Sequence, residues 1–365
     1  MKKVLVMIFS ILMGGAAGFF GTMYIDTLGG TLVDILLFIV TIMVAIYLHT
    51  IIHEGGHLIF GLLTGYRFVS FRVGNFMIFK KQGKIQFGKY SLVGTGGQCL
   101  LSPPELVEGK MSYILYNLGG VLMNTIIASL CAVVLLFITP GFYVSCFCVA
   151  MIGIGLLIAV INGLPIKLGD VDNDGCNIVN MGKSPEALRS LWIQLKINEY
   201  MTEGIRLKDM PAEWFVMPSD EAMENGLVAS IGVFHCNRLV DEERFSDAGQ
   251  EIEKLLEKKT GMLGIYRMLL TLDLVFCDLF GERRQEILDR MEQKDLIQLT
   301  KVMKAFPSVL RTQYAYAVLV EKDLRKSETI KKNFERLKKT YPYPQEVRAE
   351  EKLMAKVDCT DDCLF

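Results

Sequence analysis

The first half of the sequence has few charged residues. Of the 39 Lys and Arg and the 40 Asp and Glu residues in the chain, only 10 and 8 lie in residues 1–180. The formal net charge is −1, so positive charge is not in excess. This excludes a basic nucleic-acid-binding protein, which needs such an excess to neutralise phosphates. A content of 51% hydrophobic residues excludes a disordered or collagen-like chain. The first half is therefore too apolar for an ordinary soluble domain, whereas the second half has the composition of one.

The sequence also has no disulfide framework. Its nine Cys residues are an odd number and are scattered along the chain. Cys359 and Cys363 form a pair near the acidic C-terminal end. A metal site at this pair is the alternative, but we expect two free thiols, because a cytoplasmic domain keeps its thiols reduced.

Four apolar stretches are long enough to cross a bilayer, which takes about 20 mostly apolar residues in a helix. The predicted spans are residues 4–25, 31–63, 113–139 and 142–164. The first stretch has an alternative interpretation as a cleaved signal peptide, but it is long for one and has no clear Ala-x-Ala cleavage site. The sequence therefore predicts about four transmembrane helices.

Positive charge lies on one side of these predicted spans. Lys2 and Lys3 precede the first span, and seven Lys and Arg residues lie in the 65–110 loop, whereas the other two connections between spans contain none. Basic residues favour the cytoplasmic side of a membrane. We therefore expect both termini, the 65–110 loop and the second half of the chain to be cytoplasmic.

The second apolar stretch contains the sequence His53-Glu54-Gly55-Gly56-His57. Residues four apart share one face of a helix, so both imidazoles can bind one Zn²⁺. Glu54 lies beside His53, where it can act as a general base. The alternative is two packed histidines with a glutamate partner, but such side chains are costly inside a span and are usually functional.

Zinc also needs a third protein ligand. The fourth span ends at Asn162-x-x-Pro165, and Asp170, Asp172 and Asp174 follow it closely. Pro165 lacks an N–H and interrupts the helix, which suits a cavity lined by polar groups. From the residues alone, each of the three aspartates is a candidate ligand.

These two segments together resemble the site-2 protease family, the intramembrane zinc metalloproteases of peptidase family M50. The resemblance covers about residues 30–180. It implies one Zn²⁺ per chain, bound by His53 and His57, with Glu54 as the catalytic base and Asn162 as a donor to the substrate backbone or oxyanion.

The resemblance also ranks the three aspartates. In the family the third zinc ligand is the Asp of an Asp-Gly pair, which here is Asp174, followed by Gly175. Asp170 lies at a more usual distance from Asn-x-x-Pro, but Val171 follows it, so it ranks second and Asp172 third. The unused aspartates are expected to be solvated or to orient a histidine.

Two further segments resemble the family more loosely. Gly119-Gly120-x-x-x-Asn124 is similar to its Gly-Pro-x-x-Asn element, which gives Asn124 a place near the site or only in helix packing. Residues 67–90 alternate apolar and polar side chains, with turns at Gly74-Asn75 and Gln82-Gly83. This predicts a β-hairpin, which either binds an extended substrate at its edge or is a plain surface hairpin.

Residues 185–365 are predicted to be a soluble α-helical domain. Apolar residues recur at helical spacing in residues 222–239, 245–258, 264–280, 308–321 and 330–339. The pattern suggests tetratricopeptide-like hairpins, although no strict 34-residue period is present. We expect this domain to bind a cytoplasmic protein partner or substrate tail, or else to be a helical cap. His235 is expected to be packed or solvated.

The predicted fold class is an all-α polytopic membrane protein, residues 1–180, with a small β-hairpin loop and a repeat-like helical domain at residues 185–365. We expect an intramembrane zinc endopeptidase of a bacterial cell membrane that cleaves a transmembrane or membrane-associated peptide near the cytoplasmic side. One alternative is an inactive relative that acts as a membrane scaffold or receptor. Another is a transporter with His53, Glu54 and Asp174 as a proton relay, but no inverted repeat supports it.

Overall fold

The computed structural model describes residues 31–90, 95–165, 172–304 and 306–362, together with Met23 and Thr27. The predicted span at residues 4–25, Met23 excepted, and Asp170 lie outside the described residues. Within the described part, the chain divides into two compact units. The first contains Met1–Arg67, Gly96–Cys99 and Ser112–Asn180, and the second contains Phe68–Thr95, Leu100–Met111 and Met181–Phe365.

Three long helices make up most of the described part of the first unit. They are α1 (Leu32–Leu63), α2 (Ile114–Phe137) and α3 (Phe142–Gly163), and each is long and apolar enough to cross a membrane. A short helix, α4 (Asp174–Met181), follows them. These three helices coincide with the predicted spans at residues 31–63, 113–139 and 142–164, and a fourth span stays a prediction.

Helix α1 buries its three histidines and Glu54 and leaves many of its apolar side chains exposed. At its start, the backbone N–H of Thr31 donates to Asp34 Oδ2 at 2.7 Å, which satisfies a group that the helix leaves free. Leu36, Val40 and Met43 remain more than half exposed, whereas His49 is fully buried. This pattern suits a helix that is surrounded by lipid and lines a polar interior.

Glycines bring α1 and α2 into backbone contact. A Cβ on Gly119 would lie 2.5 Å from the carbonyl oxygen of Gly56, and a Cβ on Gly56 would overlap the carbonyl oxygen of Gly119. Small residues at such a crossing let two membrane helices approach closely. The second glycine of the His53–His57 segment is therefore needed for packing.

The predicted hairpin is present as part of a four-stranded sheet. Its strands, β1 (Arg67–Val73), β2 (Phe76–Lys81), β3 (Lys84–Lys89) and β4 (Gly97–Ser102), have the spatial order β3-β2-β1-β4. β1 and β3 pair antiparallel to β2, and Gln82-Gly83 form a two-residue turn with positive φ at both residues. Sequence reasoning did not find β4, and strand addition of a substrate at the exposed edge strand β3 stays a prediction.

Nine helices lie in the second unit within the described residues. They are α5 (Pro185–Glu203), α6 (Gly226–Asp241), α7 (Phe245–Glu257), α8 (Gly264–Leu279), α9 (Gln285–Leu288), α10 (Lys294–Val302), α11 (Pro307–Tyr316), α12 (Leu324–Lys338) and α13 (Pro344–Asp362). Short 3₁₀ segments lie at Leu207–Asp209, Ala212–Phe215, Ala222–Glu224 and Asp289–Glu292, and a π segment lies at Ala317–Glu321. All five predicted helices are present with shifted ends, while the tetratricopeptide-like repeat and its partner stay predictions.

Local capping and a common core explain these helices. Ser184 and Asn225 accept hydrogen bonds from backbone N–H groups in the first turns of α5 and α6. Ile252, Leu274 and Phe276 are fully buried in a core shared by α6, α7, α8, α11, α12 and α13. Arg311 is also buried in this unit, where it forms ion pairs with Asp273 and with Glu350, the latter at 3.1 Å.

Candidate metal centre

Three of the predicted site residues lie together in the first unit. His53 Nε2 lies 3.2 Å from His57 Nε2, and Asp174 Oδ2 lies 3.1 Å from His53 Nε2 and 3.5 Å from His57 Nε2. His53 and His57 are on α1, and Asp174 is the first residue of α4. Within the ranges given above, it is the one group of three or more His, Cys, Asp or Glu side chains close enough to hold a metal.

The positions of these three atoms fit a single zinc ion. Asp174 Oδ2 is buried and has no hydrogen bond of good geometry, although two ring nitrogens lie within 3.5 Å of it. The three atoms therefore lie close together, and the carboxylate oxygen is not used in a hydrogen bond. Ligands about 2.0–2.1 Å from a tetrahedral ion lie about 3.3 Å apart, which agrees with the three distances, and two nitrogens with one carboxylate oxygen are typical zinc ligands.

A backbone carbonyl group orients His57. Its Nδ1 donates to the carbonyl oxygen of Tyr116 at 2.7 Å. Because a neutral imidazole carries one N–H, this bond leaves a lone pair on Nε2, the nitrogen that faces Asp174. The Tyr116 hydroxyl in turn donates to the carbonyl oxygen of Cys99 at 3.0 Å, and its ring stacks on Tyr66. These contacts of the Tyr116 side chain help to position its carbonyl group, which accepts the hydrogen bond from His57.

His53 packs against α2. A Cβ on Gly120 would overlap the His53 ring, so only glycine leaves room for the imidazole there. Asn124 is fully buried one turn further along α2, and its Nδ2 lies 3.3 Å from His53 Nδ1. The structure therefore has Asn124 near the site, which is one of the two positions expected for it.

Asn173 and Gly175 position Asp174. The Asn173 amide donates to the carbonyl oxygens of Ile161 and Leu164, both at 2.6 Å, and its Oδ1 accepts from the backbone N–H of Cys176 at 2.8 Å. One side chain thus caps both the end of α3 and the start of α4. A Cβ on Gly175 would overlap the carbonyl oxygen of Gly163, which explains physically why glycine follows Asp174.

Asp174 is held in its ionised form. Burial raises its pKa, but the adjacent His53 and His57 lower it by more, to about 2. An ionised carboxylate is the form that binds a metal. The electrostatics of the site therefore agree with the ligand geometry.

Glu54 lies next to the cluster in sequence and is 8% exposed. A Cβ on Gly97, in β4, would lie 2.6 Å from its Cγ and Oε1. The backbone of Gly97 therefore lies directly against the carboxyl group. This contact explains a glycine at that position and restricts where the carboxylate can move.

The other described candidates make hydrogen bonds to partners outside the cluster. Asn162 donates a hydrogen bond from Nδ2 to the carbonyl oxygen of Ile158 at 3.0 Å, so this amide group bonds to the preceding turn of its own helix. Asp172 accepts from Asn180 Nδ2 at 2.8 Å. His235 donates from Nδ1 to the carbonyl oxygen of Phe215 at 2.6 Å and is packed, as expected.

Sequence reasoning missed His49. This residue lies on the same face of α1, one turn before His53, and is fully buried. Its Nδ1 lies 3.0 Å from Asn124 Oδ1, and its Nε2 lies 2.9 Å from the carbonyl oxygen of Met151. The four-residue spacing of His49, His53 and His57 was the available signal, and it extends the histidine face by one turn.

Comparison with known proteins gives one finding. The family model for peptidase family M50 matches residues 41–341. No curated protein and no solved structure matches the chain. The match covers most of the 365 residues and includes α1 from residue 41 onward, all of α2 and α3, and the whole His, His and Asp cluster. This chain therefore belongs to peptidase family M50, a family of membrane metallopeptidases, and is an integral membrane protein.

Proposed function

We propose that this protein is an intramembrane zinc endopeptidase, with zinc bound by His53, His57 and Asp174 and with Glu54 as its catalytic base. The observation that carries the proposal is the convergence of two imidazole nitrogens and one carboxylate oxygen, all within 4.8 Å of one another. Both histidines and Glu54 lie on a helix long and apolar enough to span a membrane. Three protein ligands leave one zinc position for water, as in catalytic zinc sites.

The reaction is the addition of water across a peptide C–N bond. When bound, zinc lowers the pKa of a water to about 7 and polarises the scissile carbonyl group. Glu54 accepts a proton from the attacking water and later delivers it to the nitrogen of the leaving amine as the C–N bond breaks. His57 and Asp174 are held by the Tyr116 carbonyl group and by Asn173, so they keep their positions during these steps.

The proposed substrate is a transmembrane or membrane-associated peptide. A helical substrate has its backbone hydrogen bonds satisfied internally, so it must unwind before its carbonyl group can be attacked. Asn162 retains its proposed role as a donor to the unwound backbone, which requires its amide to leave Ile158. Basic residues between α1 and α2, including Arg67, Lys80 and Lys81, support a cytoplasmic position for this loop and for the cleavage.

Zinc content in detergent-purified protein tests the metal site. We expect about one zinc per chain in the wild type and in Asp172→Ala, because Asp172 bonds to Asn180. Asp174→Ala is expected to lose the metal. Asp170→Ala completes the series, and zinc loss in Asp170→Ala but not in Asp174→Ala would reject the proposed ligand set. A well-folded wild-type protein that contains no zinc would reject the proposed protease function.

Glu54→Gln separates an enzyme from an inactive scaffold. We expect this variant to keep zinc and the wild-type melting temperature but to cleave at least 10²-fold more slowly, because general acid–base catalysis typically contributes that much. Cleavage is followed by mass spectrometry on a panel of synthetic single-span peptides in detergent. Equal cleavage by wild type and Glu54→Gln would contradict the proposed mechanism.

A further inference from the structure

Among the described residues, no backbone carbonyl group accepts a hydrogen bond from His53, whereas the carbonyl group of Tyr116 accepts one from His57. His53 Nδ1 faces the amide of Asn124, and the other end of that amide faces His49 Nδ1 at 3.0 Å. His49 Nε2 lies 2.9 Å from the carbonyl oxygen of Met151. The carbonyl group of Met151, His49, Asn124 and His53 therefore form one continuous chain of polar contacts, and the His49 and Asn124 side chains are fully buried.

The donors and acceptors along these contacts follow from the Met151 carbonyl group at one end. A carbonyl oxygen only accepts hydrogen bonds, so His49 donates from Nε2, and a neutral His49 has its lone pair on Nδ1. That lone pair needs a donor, but Asn124 Oδ1 lies 3.0 Å from His49 Nδ1 and Asn124 Nδ2 lies 3.3 Å from His53 Nδ1. We therefore assign the amide of Asn124 the orientation turned by 180°, in which its NH₂ group faces His49. The amide oxygen and nitrogen exchange places in a half turn, and hydrogen-bond partners decide between the two orientations.

This orientation sets the proton on His53. With the NH₂ group of Asn124 on His49, the amide oxygen faces His53 Nδ1 and accepts its N–H. His53 Nε2 then carries a lone pair, and this is the nitrogen 3.1 Å from Asp174 Oδ2. The opposite orientation would put protons on both nitrogens of the buried His49 and a proton on His53 Nε2, which would remove a metal-binding lone pair.

Close packing supports the chain sterically. A Cβ on Gly155, in α3, would lie 2.5 Å from His49 Cε1, so glycine leaves the space for that ring. Gly120 does the same for His53. Each ring therefore packs directly against the backbone of a neighbouring helix, and this packing restricts its rotation.

We propose that His49 and Asn124 are positioning residues that form a hydrogen-bond chain from the Met151 carbonyl group to His53, holding His53 as the Nδ1–H tautomer with its Nε2 lone pair on the metal. This inference rests on the proposed zinc site. Hydrogen bonds from such partners fix the ring orientation of a ligand histidine and increase its basicity, and their loss typically costs 10–100-fold in metal affinity.

Nitrogen-15 NMR of histidine-labelled full-length protein in detergent reads the tautomers directly. The chain has only four histidines, and the His49→Leu variant assigns the His49 signals. In the metal-free wild type we expect a proton on Nδ1 of His53 and on Nε2 of His49. A His53 protonated on Nε2 in that state would overturn the inference.

Zinc affinity, measured by competition with a chelator, gives the second readout. We expect His49→Leu and Asn124→Leu to weaken zinc binding 10–100-fold, because neither leucine can hydrogen-bond. His49→Gln keeps one donor and one acceptor, so we expect it to stay within about threefold of the wild type. If both leucine variants bind zinc as tightly as the wild type, the inference is wrong.

Ala128→Gly is the matched control for loss of packing. Ala128 is buried on the face of α2 that carries Asn124, one turn further on. The change is expected to lower the melting temperature but to leave zinc affinity unchanged. Equal zinc loss in Ala128→Gly and His49→Leu would show a merely structural role and overturn the inference. A wild type that binds no zinc rejects the proposed function instead, and the tautomers remain measurable in that protein.

Discussion

The two consecutive glycines in the His53–His57 segment are predicted to respond very differently to alanine. A Cβ on Gly56 would lie 2.6 Å from the carbonyl carbon of Gly119 and 2.8 Å from Met123 Cβ. Ordinary carbon contacts are about 3.5–4.0 Å, so α1 and α2 would have to separate by about 1 Å. A Cβ on Gly55 would have no atom within 4 Å outside its own helix turn and chain neighbours.

The expected magnitudes follow from these distances. Overpacking costs about 1–3 kcal/mol, and Gly56→Ala should lie at the upper end because the atoms it meets are largely backbone and cannot rotate away. The same separation moves α1 away from the Tyr116 carbonyl group and Asn124, which orient His57 and His53. Metal sites tolerate about 0.2 Å in ligand distance, so zinc affinity should fall at least 10-fold.

Gly55→Ala is the adjacent control. Replacement of glycine by alanine inside a helix favours folding by about 0.5–1 kcal/mol, and the structure shows no clash to oppose it. The assay is the melting temperature in detergent together with zinc affinity by chelator competition. Equal zinc affinity and stability in Gly56→Ala and the wild type, or a larger defect in Gly55→Ala, would refute the close approach of α1 and α2.

Three other predictions concern single side chains. Asn173→Ala should cost about 2 kcal/mol and weaken zinc binding, because it removes the cap of α4 and the partners of two carbonyl oxygens at the end of α3; unchanged zinc affinity would contradict this role. Arg311→Met should destabilise the second unit by about 3–5 kcal/mol, because Glu350 and Asp273 lose their buried cation. Unfolding of that unit can be measured by tryptophan fluorescence, since both tryptophans, Trp192 and Trp214, lie in it. Burial, and then the charge of Glu350, raise the pKa of Glu346 to about 8, so its contribution to stability is present below pH 4.5 and is lost as the pH rises through 8. Glu346→Gln should therefore melt higher than the wild type at pH 9 but not at pH 4, and parallel melting curves across this range would contradict the shift.

Local patterns were sufficient to predict most of the elements. The described spans, the hairpin with its turn at Gln82-Gly83 and five helices of the second unit follow from hydrophobic period, turn residues and length. Strand β4 was missed because Gly97–Ser102 lacks a clear alternation of apolar and polar residues. Its place in the sheet depends on pairing with β1, which is distant in sequence.

The sequence by itself determined the pairing of His53 with His57, because a spacing of four residues on one helix is enough to place two imidazoles on the same face. The residues alone left Asp170, Asp172 and Asp174 open, and the resemblance to the site-2 protease family ranked Asp174 first. The position of Asp174 depends on where the chain after α3 passes α1. Only the tertiary structure brings Asp174 Oδ2 within 3.5 Å of both rings, and it does so through the Asn173 caps and the close approach of Gly175 to Gly163. The same is true of His49 and Asn124, whose contacts join three helices and have no counterpart in the spacing of any one of them.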